Sequence, residues 1–286
     1  MADWKETNTH IRILRDAENR QYGVIAAIAY NIEQVHGLIK AATTARSPLI
    51  IQFFPWAIQV YDGLLVRAAA EAVKNADVPI SIHLDHAQSE ELIARAAELP
   101  FDSIMVDMSH YEKEDNLHKT AQWVRHCNER QIATEAEPGR IEGGEDGVMD
   151  TAGLEACMTT PEEVEEFVAT GVDALAPSFG NIHGEAPPQG PSLDFQRFEN
   201  VRVCANGRVR LALHGTNGYQ PDLIKKCIRA GVSKINVNRL VLDDYYEHLH
   251  ANIGKMPHTQ LIEEGIEKVV QLTMKWMEVC GSAGKA

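Results

Sequence analysis

Residues 210–238 read RLALHGTNGYQPDLIKKCIRAGVSKINVN. The apolar run RLALHG ends at a glycine-rich break. PDLIKKCIRAG follows with apolar residues at helical spacing, Pro221 in the first turn and Gly231 where a helix would stop; SKINVN then opens a second β-branched run. The stretch is therefore a strand, a helix and a strand. The same rhythm recurs upstream in GVIAAIAY, PLIIQFF, PISIHLDH, DSIMVDMS, QIATEAEP and VDALAPS, which brings the candidate strands to eight. Between them lie amphipathic segments such as IEQVHGLIKAATTA, EELIARAAEL, NLHKTAQWVRHCNER and PEEVEEFVATG, the last with Pro161 and Gly171 at its two ends. Alternation of this kind favours a parallel sheet covered by helices, and eight units favour closure into an α/β fold of the (β/α)8 TIM-barrel type. A doubly wound open sheet is the rival fold.

Length and composition agree with that reading. The 286 residues suffice for one large core, and no low-complexity block, long Gly/Ser linker or compositional shift marks a boundary. We expect one barrel domain over 1–286, with 258–280 as a C-terminal helical extension whose apolar stripe packs on the barrel or on a second subunit. A hydrophobic content of 44% with 24% charged residues argues against extensive disorder. The formal charge of −14 opposes binding of nucleic acid or anionic membranes, and an anionic small substrate would need its own local donors. Five scattered cysteines with no C-x-x-C pair suggest neither a disulfide framework nor a thiolate zinc site, and suit a reducing cytosol. The segment MADWKETNTH has no apolar signal core, and no run approaches membrane-spanning length. A cytoplasmic protein is expected.

Polar residues that look out of place gather where the strands end. His83, Asp85 and His86 close strand three, Asp107 and Ser109 close strand four, and Glu135 and Glu137 lie in strand five. His183 follows strand six, His214 closes strand seven, and Asn236 and Asn238 end strand eight. A barrel collects these ends into one mouth. A single strand-end histidine is more often a turn residue or a satisfied core group. Three with flanking acids at the same end point instead to a metal site, since neutral imidazoles suit zinc and three ligands leave a position open. Strict alternation would turn Asp85 and His86 to opposite faces, so both reach the mouth only if the strand breaks there. The stretch EPGRIEGGEDGVMD, residues 137–150, reads either as a solvated acidic loop or as a lid that carries a carboxylate to the site. His118, His126, His248 and His250 read as surface residues, while His110 stays open.

The blocks IAAIAYNIEQVHGLIKAATTARSPLIIQ, HLDHAQS, SIMVDMS, EAEPGRIEGGEDG, VDALAPSFGNIHG, LALHG and GVSKINVN, in this order, resemble the class II, zinc-dependent fructose-bisphosphate and tagatose-bisphosphate aldolases. The likeness runs from about Val24 to about Asn238. It implies zinc on His86, His183 and His214, with Asp107 and Glu137 offering a position for a second divalent or a monovalent cation. It implies that Asp85 shuttles the hydroxyl proton beside the cleaved bond and that Glu145 exchanges the proton on the nucleophilic carbon. Asn31, Gly184, Gly215, Thr216, Asn217, Asn236, Asn238 and Arg239 fall where the family contacts substrate. A homodimer or homotetramer acting on a small ketose or keto compound follows.

The resemblance is incomplete. The glycine-glycine-serine cradle after the last histidine is here Gly215, Thr216, Asn217, and the asparagine-x-aspartate-threonine-aspartate run is Asn236, Val237, Asn238, Arg239, Leu240. Phe54 replaces a serine, Glu142 replaces a lid glycine, and the tyrosine-lysine context after His183 is missing. Except for the lid, these changes lie where the family binds phosphate or positions the ketose. The expectation is retained aldolase chemistry on a changed substrate, unphosphorylated or carboxylated, with Arg140 and Arg239 as candidate anion contacts or as plain surface arginines. A zinc epimerase or hydrolase, and a non-catalytic barrel, are the competing readings.

Overall fold

The computed structural model describes residues 3–146, 148, 149, 151, 154, 157–185 and 190–286. In chain order the elements are α1 (Thr9–Arg20), β1 (Val24–Ile28), α2 (Ile32–Ala45), β2 (Leu49–Phe53), α3 (Pro55–Tyr61), α4 (Leu64–Val73), β3 (Ile80–Ala87), α5 (Glu90–Ala96), β4 (Ser103–Val106) and α6 (Lys113–Asn128). There follow β5 (Ala133–Ala136), α7 (Pro161–Val168), β6 (Ala174–Leu175), α8 (Phe195–Ala205), β7 (Arg210–Leu213), α9 (Pro221–Ala230), β8 (Lys234–Val237), α10 (Arg239–Asn252) and α11 (His258–Cys280). The eight strands pair in parallel in sequence order, and β8 returns to β1 with Val24 beside Lys234, closing the ring. The open sheet is thereby excluded and the fold is a (β/α)8 barrel.

Alternation along the strands divides the core in two. Outward residues such as Ile25, Ile51, Ile82, Leu84, Ile104, Val106 and Ile235 join the inner faces of the helices in one large cluster. Inward positions are partly filled by the small group Met105, Ala176 and Ala212, and partly by polar side chains. Burying polar groups inside a barrel costs free energy unless they are paired, so their arrangement is the feature that needs explaining.

The base of the barrel is sealed by α1, an element the strand rhythm alone does not announce. Asn8 caps this helix by accepting from Ile11 N at 3.1 Å, while its amide donates to Asp102 O at 3.0 Å. Ile13, Leu14 and Ala17 pack beneath Val24, Ala26, Ile50 and Ala174. At the far end of the chain, α11 lies against α2 and α10 of the same chain. His248, read as a surface residue from sequence, is buried under α11, with Nε2 at 3.2 Å from Leu261 O. His118 and His250 are exposed, and His126 is half-buried against Trp123.

The β3 strand is interrupted between Leu84 and Ala87. Leu84 pairs with Ile104, but the next pair is Ala87 with Val106, so β3 carries one extra residue. His86 adopts φ +52°, and this bulge frees Asp85 and His86 from strict alternation. Glu137 stands one residue beyond β5, and β6 is only two residues long, so His183 rides on the loop that follows it.

The contact between α2 and α11 is tight at Gly37, where an added Cβ would stand 2.9 Å from Val269 Cβ. Replacing Gly37 by valine is expected to cost about 1–3 kcal/mol through overpacking, read as a lower urea midpoint with an unchanged m-value. A neutral result would mean that the two helices are not in this contact.

Candidate metal centre and active site

Three imidazoles meet at the mouth although they lie far apart in sequence. Ring centroids of His86 and His183 are 4.8 Å apart, those of His86 and His214 are 5.0 Å apart, and those of His183 and His214 are 5.8 Å apart. One ligand atom from each of His86, Glu137, His183 and His214 lies within 4.8 Å of the others, and all four residues are buried. The loop bearing His183 is fixed by Asn181, whose amide donates to His214 O at 3.2 Å. Close approach of the strands' loops requires glycine here: a Cβ on Gly215, at φ +70°, would fall 1.9 Å from Ile182 O, and one on Gly143, at φ +98°, 2.5 Å from His183 O.

Each strand-borne histidine is aimed by a carboxylate behind it. His86 Nδ1 donates to Asp107 Oδ2 at 2.8 Å, and Asp107 is itself held by the backbone N–H and hydroxyl of Ser109. His214 Nε2 donates to Glu135 Oε1 at 2.8 Å, and the same oxygen accepts from the Lys234 ammonium at 3.0 Å while Oε2 pairs with that ammonium at 2.8 Å. These bonds assign the tautomers and turn His86 Nε2 and His214 Nδ1 toward each other, 3.2 Å apart. Tetrahedral zinc with bonds of about 2.0–2.1 Å would separate its nitrogens by about 3.4 Å. His183 Nε2 and Glu137 Oε2 are buried and have no hydrogen-bond partner among the described residues. Two converging nitrogens that share one proton, with a third orphaned nitrogen and an orphaned carboxylate oxygen beside them, form a donor set that fits a divalent cation in place of that proton.

The electrostatics agree. Burial alone would lower the His86 pKa, but the Asp85 and Asp107 carboxylates outweigh it and push it up to about 10, a sign of how strongly the site favours positive charge. Burial drives the His183 pKa well below the imidazole range, aided by the neighbouring histidines, and lowers that of His214 against the pull of Glu135. Both are thus neutral. Burial, with Asp107 adding to it, pushes Glu137 up to about 8.

Asp85 stands beside this cluster, 2% exposed, and accepts from Gln52 Nε2 at 3.1 Å and from Asn236 Nδ2 at 3.0 Å. It lines a narrow cavity with His86, His183, His214, Glu145 and Asn236. Phe54, Gly215, Thr216, Asn217 and Asn238 complete the wall, so most of the expected substrate positions are brought together. Glu145 closes the cavity from above: its carboxylate accepts from Gly184 N and from Asn238 Nδ2, both at 3.4 Å, and burial raises its pKa. Thr216 spends its hydroxyl on Asn236 O at 2.5 Å.

Some expected residues have other tasks. Asn31 caps α2 through Gln34 N at 2.9 Å and donates its amide to Tyr245 Oη at 2.9 Å, outside the cavity wall. Arg140 is corrected from anion contact to loop anchor: it is buried and donates to Ser109 O at 2.7 Å and Tyr111 O at 3.0 Å. Arg239 is half-exposed and paired with Glu185 and Asp243. Asp107 stands behind His86 and is outside the four converging ligand atoms. The lid stretch 137–150 forms bridges from Arg140 to Cys157 and from Glu142 to Ile182, while its Gly147 and Asp150 lie outside the described residues.

Sequence reasoning noted His83 and Glu135 without giving them a role, and passed over His10, Gln52, Asn181 and Lys234. His83 stacks on His10 at 5.1 Å, 3.4 Å from Lys234 Nζ, and burial keeps both rings neutral. Their signal was spacing by two: His83 with Asp85, Glu135 with Glu137, and Lys234 with Asn236 fall on the same faces of their strands.

A family model, fructose-bisphosphate aldolase class-II, matches residues 8–285. A Coccidioides immitis protein assigned provisionally as a fructose-bisphosphate aldolase is 48% identical over 98% of this chain and 96% of its own length. The fructose-bisphosphate aldolase of Geobacillus stearothermophilus is 32% identical over 96% of each chain. A crystal structure from Coccidioides immitis with the same provisional assignment superposes with a TM-score of 0.96 at 49% identity, covering 98% of both chains.

Replacing Asp107 by alanine leaves His86 Nδ1 without its acceptor, and zinc affinity measured by chelator competition is expected to fall about 10- to 100-fold. Asparagine, which keeps an acceptor oxygen, should lose less. Unchanged affinity in the alanine variant would remove Asp107 from any role in aiming His86.

Proposed function

This chain belongs to the class II fructose-bisphosphate aldolase family of metal-dependent lyases, and from that premise we propose how its own residues divide the reaction. The substrate is a polyhydroxylated ketose or related keto compound, and the cation is zinc, held by His86, His183 and His214. Glu137, with Asp107 behind His86, offers a neighbouring position for a second divalent or a monovalent cation. The observation that carries this reading is the convergence of three imidazoles, Asp85 and Glu145 on one cavity.

When bound, the cation supplies Lewis-acid stabilisation of the charge that develops on the ketone side as the carbon-carbon bond breaks. Asp85 removes the hydroxyl proton next to that bond, so the hydroxyl carbon leaves as an aldehyde and the bonding pair stays with the ketone half. Gln52 and Asn236 fix Asp85 by donating to it, which aims its carboxylate. Glu145 returns a proton to the carbon of the ketone half, and its seat over the cavity excludes water while that carbon is basic. In the condensing direction the two roles reverse. Asn217, Asn236 and Asn238 supply amide contacts to the substrate.

We further propose that 1–286 acts as one barrel domain with 258–280 as its helical extension, supported by a single family match over 8–285. Exposed Val60, Tyr61 and Leu64 offer apolar surface for assembly as a homodimer or homotetramer. No described helix is long and apolar enough to cross a membrane. The scattered odd cysteines support a cytoplasmic site of action. The epimerase, hydrolase and non-catalytic readings are not favoured by the family match.

Chelator treatment should abolish retro-aldol cleavage and added zinc should restore it; cleavage that persists without metal would overturn the mechanism. Exchanging Asp85 for alanine is expected to reduce cleavage about 10²- to 10⁴-fold, in the range of a lost general base, while zinc per chain by elemental analysis stays near the wild-type value. Metal and activity lost together would make Asp85 a ligand rather than a base.

A further inference from the structure

Arg140 stands at the root of the loop that follows β5, 7% exposed, and is not part of the catalytic cavity wall. Its Nε–H donates to Ser109 O at 2.7 Å and its Nη2–H to Tyr111 O at 3.0 Å, so one planar fork grips two carbonyls of the turn between β4 and α6. Ser109 in turn gives its backbone N–H and its hydroxyl to Asp107 Oδ1, at 3.1 and 2.7 Å. Asp107 Oδ2 accepts from His86 Nδ1 at 2.8 Å. A chain of short bonds therefore runs from the guanidinium to a ring of the metal centre.

The same loop touches the centre elsewhere. Glu137 Oε1 accepts from Ile141 N at 2.7 Å, which leaves Oε2 without a partner among the described residues, beside the histidines. Glu142 O accepts from His183 N at 2.8 Å. Glu145 reaches Gly184 N and the Asn238 amide over the cavity. The backbone of Arg140 is itself paired in both directions with Cys157, at 2.8 and 3.3 Å. Burying a guanidinium costs free energy that a neutral anchor would avoid. What the charged fork adds is direction: it fixes Ser109, whose N–H and hydroxyl orient the carboxylate behind His86.

Resting on the metal reading above, we infer that Arg140 is a positioning residue that joins the seating of the loop 137–145 to the aim of His86. With the loop seated, the fork holds Ser109 and Asp107 behind the His86 ring. With the loop displaced, that tether is released while Glu137 and the backbone bond to His183 withdraw as well. Metal capture and loop seating are then one coupled equilibrium, and by linkage the cation holds the loop as strongly as the loop holds the cation.

The test measures zinc affinity of the full-length protein by chelator competition. Arg140→Gln should bind zinc about tenfold more weakly, the lower end of what losing an orienting partner costs, and Arg140→Lys, which keeps the charge and one donor, should recover part of that loss. In an Asp107→Ala background, where the tether is already cut, Arg140→Gln should cost no more than about twofold further. Losses that multiply in full, or an affinity that Arg140→Gln leaves unchanged, overturn the inference. An arginine that only stabilised the fold would lower the urea midpoint and leave the zinc affinity of the folded protein alone. If Arg140→Gln does not fold, Arg140→Lys carries the same cycle: a loss of about threefold that disappears beside Asp107→Ala supports the role, and wild-type affinity or full multiplication overturns it. Zinc should also slow amide exchange across 140–146, followed by mass spectrometry, and by linkage that protection should shrink about tenfold in Arg140→Gln. Protection retained in full overturns the link between loop and tether. Wild-type protein that binds no zinc overturns the metal reading itself, a result distinct from each of the others.

Discussion

Two imidazole nitrogens that both want a positive partner, His86 Nε2 and His214 Nδ1, are held 3.2 Å apart. With His86 held protonated by its acidic neighbours, Nε2–H donates to His214 Nδ1, and a bound cation would take that proton's place. Each ring is tethered from behind by a carboxylate, Asp107 for one and Glu135 for the other. The tethers lie just past β4 and on β5 and the rings on β3 and just past β7, so the geometry is carried by four separate strands of a closed ring. The demand for a cation is thus written into the barrel and not into any one loop.

That arrangement has a cost one layer further down. Glu135 is fully buried, and an isolated carboxylate there would be strongly unfavourable. Lys234, also fully buried, answers it at 2.8 Å and holds its pKa well below the carboxylate range despite burial. A buried ion pair of this kind is weak evidence for stability. Here its effect is directional: an ionised Glu135 can only accept from His214 Nε2, which leaves Nδ1 for the cation. Neutral His83 and His10 fill the space beneath without adding charge that would compete.

The fold was legible because strand and helix periodicities differ and repeated eight times with little interruption. The three clustered histidines were legible as a group because each closes or follows an apolar run, as in RLALHG. The α1 helix was harder to see, since its stripe of Ile13, Leu14 and Ala17 is short and no strand precedes it. Lys234 escaped because a charged residue inside a strand ordinarily reads as solvent-facing, and Glu135, though visible in its strand, gained a role only once the closed ring made that face an interior. Arg140 misled for the opposite reason: a loop arginine after a glycine looks mobile, yet two backbone carbonyls hold it. Asp85 and His86 required a break that alternation could demand but not locate, and the extra residue before Ala87 supplies it.

The pairing of β8 with β1 places Val24 beside Lys234, residues from opposite ends of the chain. Lys234 reaches Glu135 only once that last strand has inserted, so the ion pair belongs to the completed ring and to no shorter fragment. Contacts this remote in sequence form late and slowly because loop closure must come first. Without β8, Glu135 would lack its counter-ion, so the tautomer that presents His214 Nδ1 rests on a strand that comes later in the chain than His214 itself.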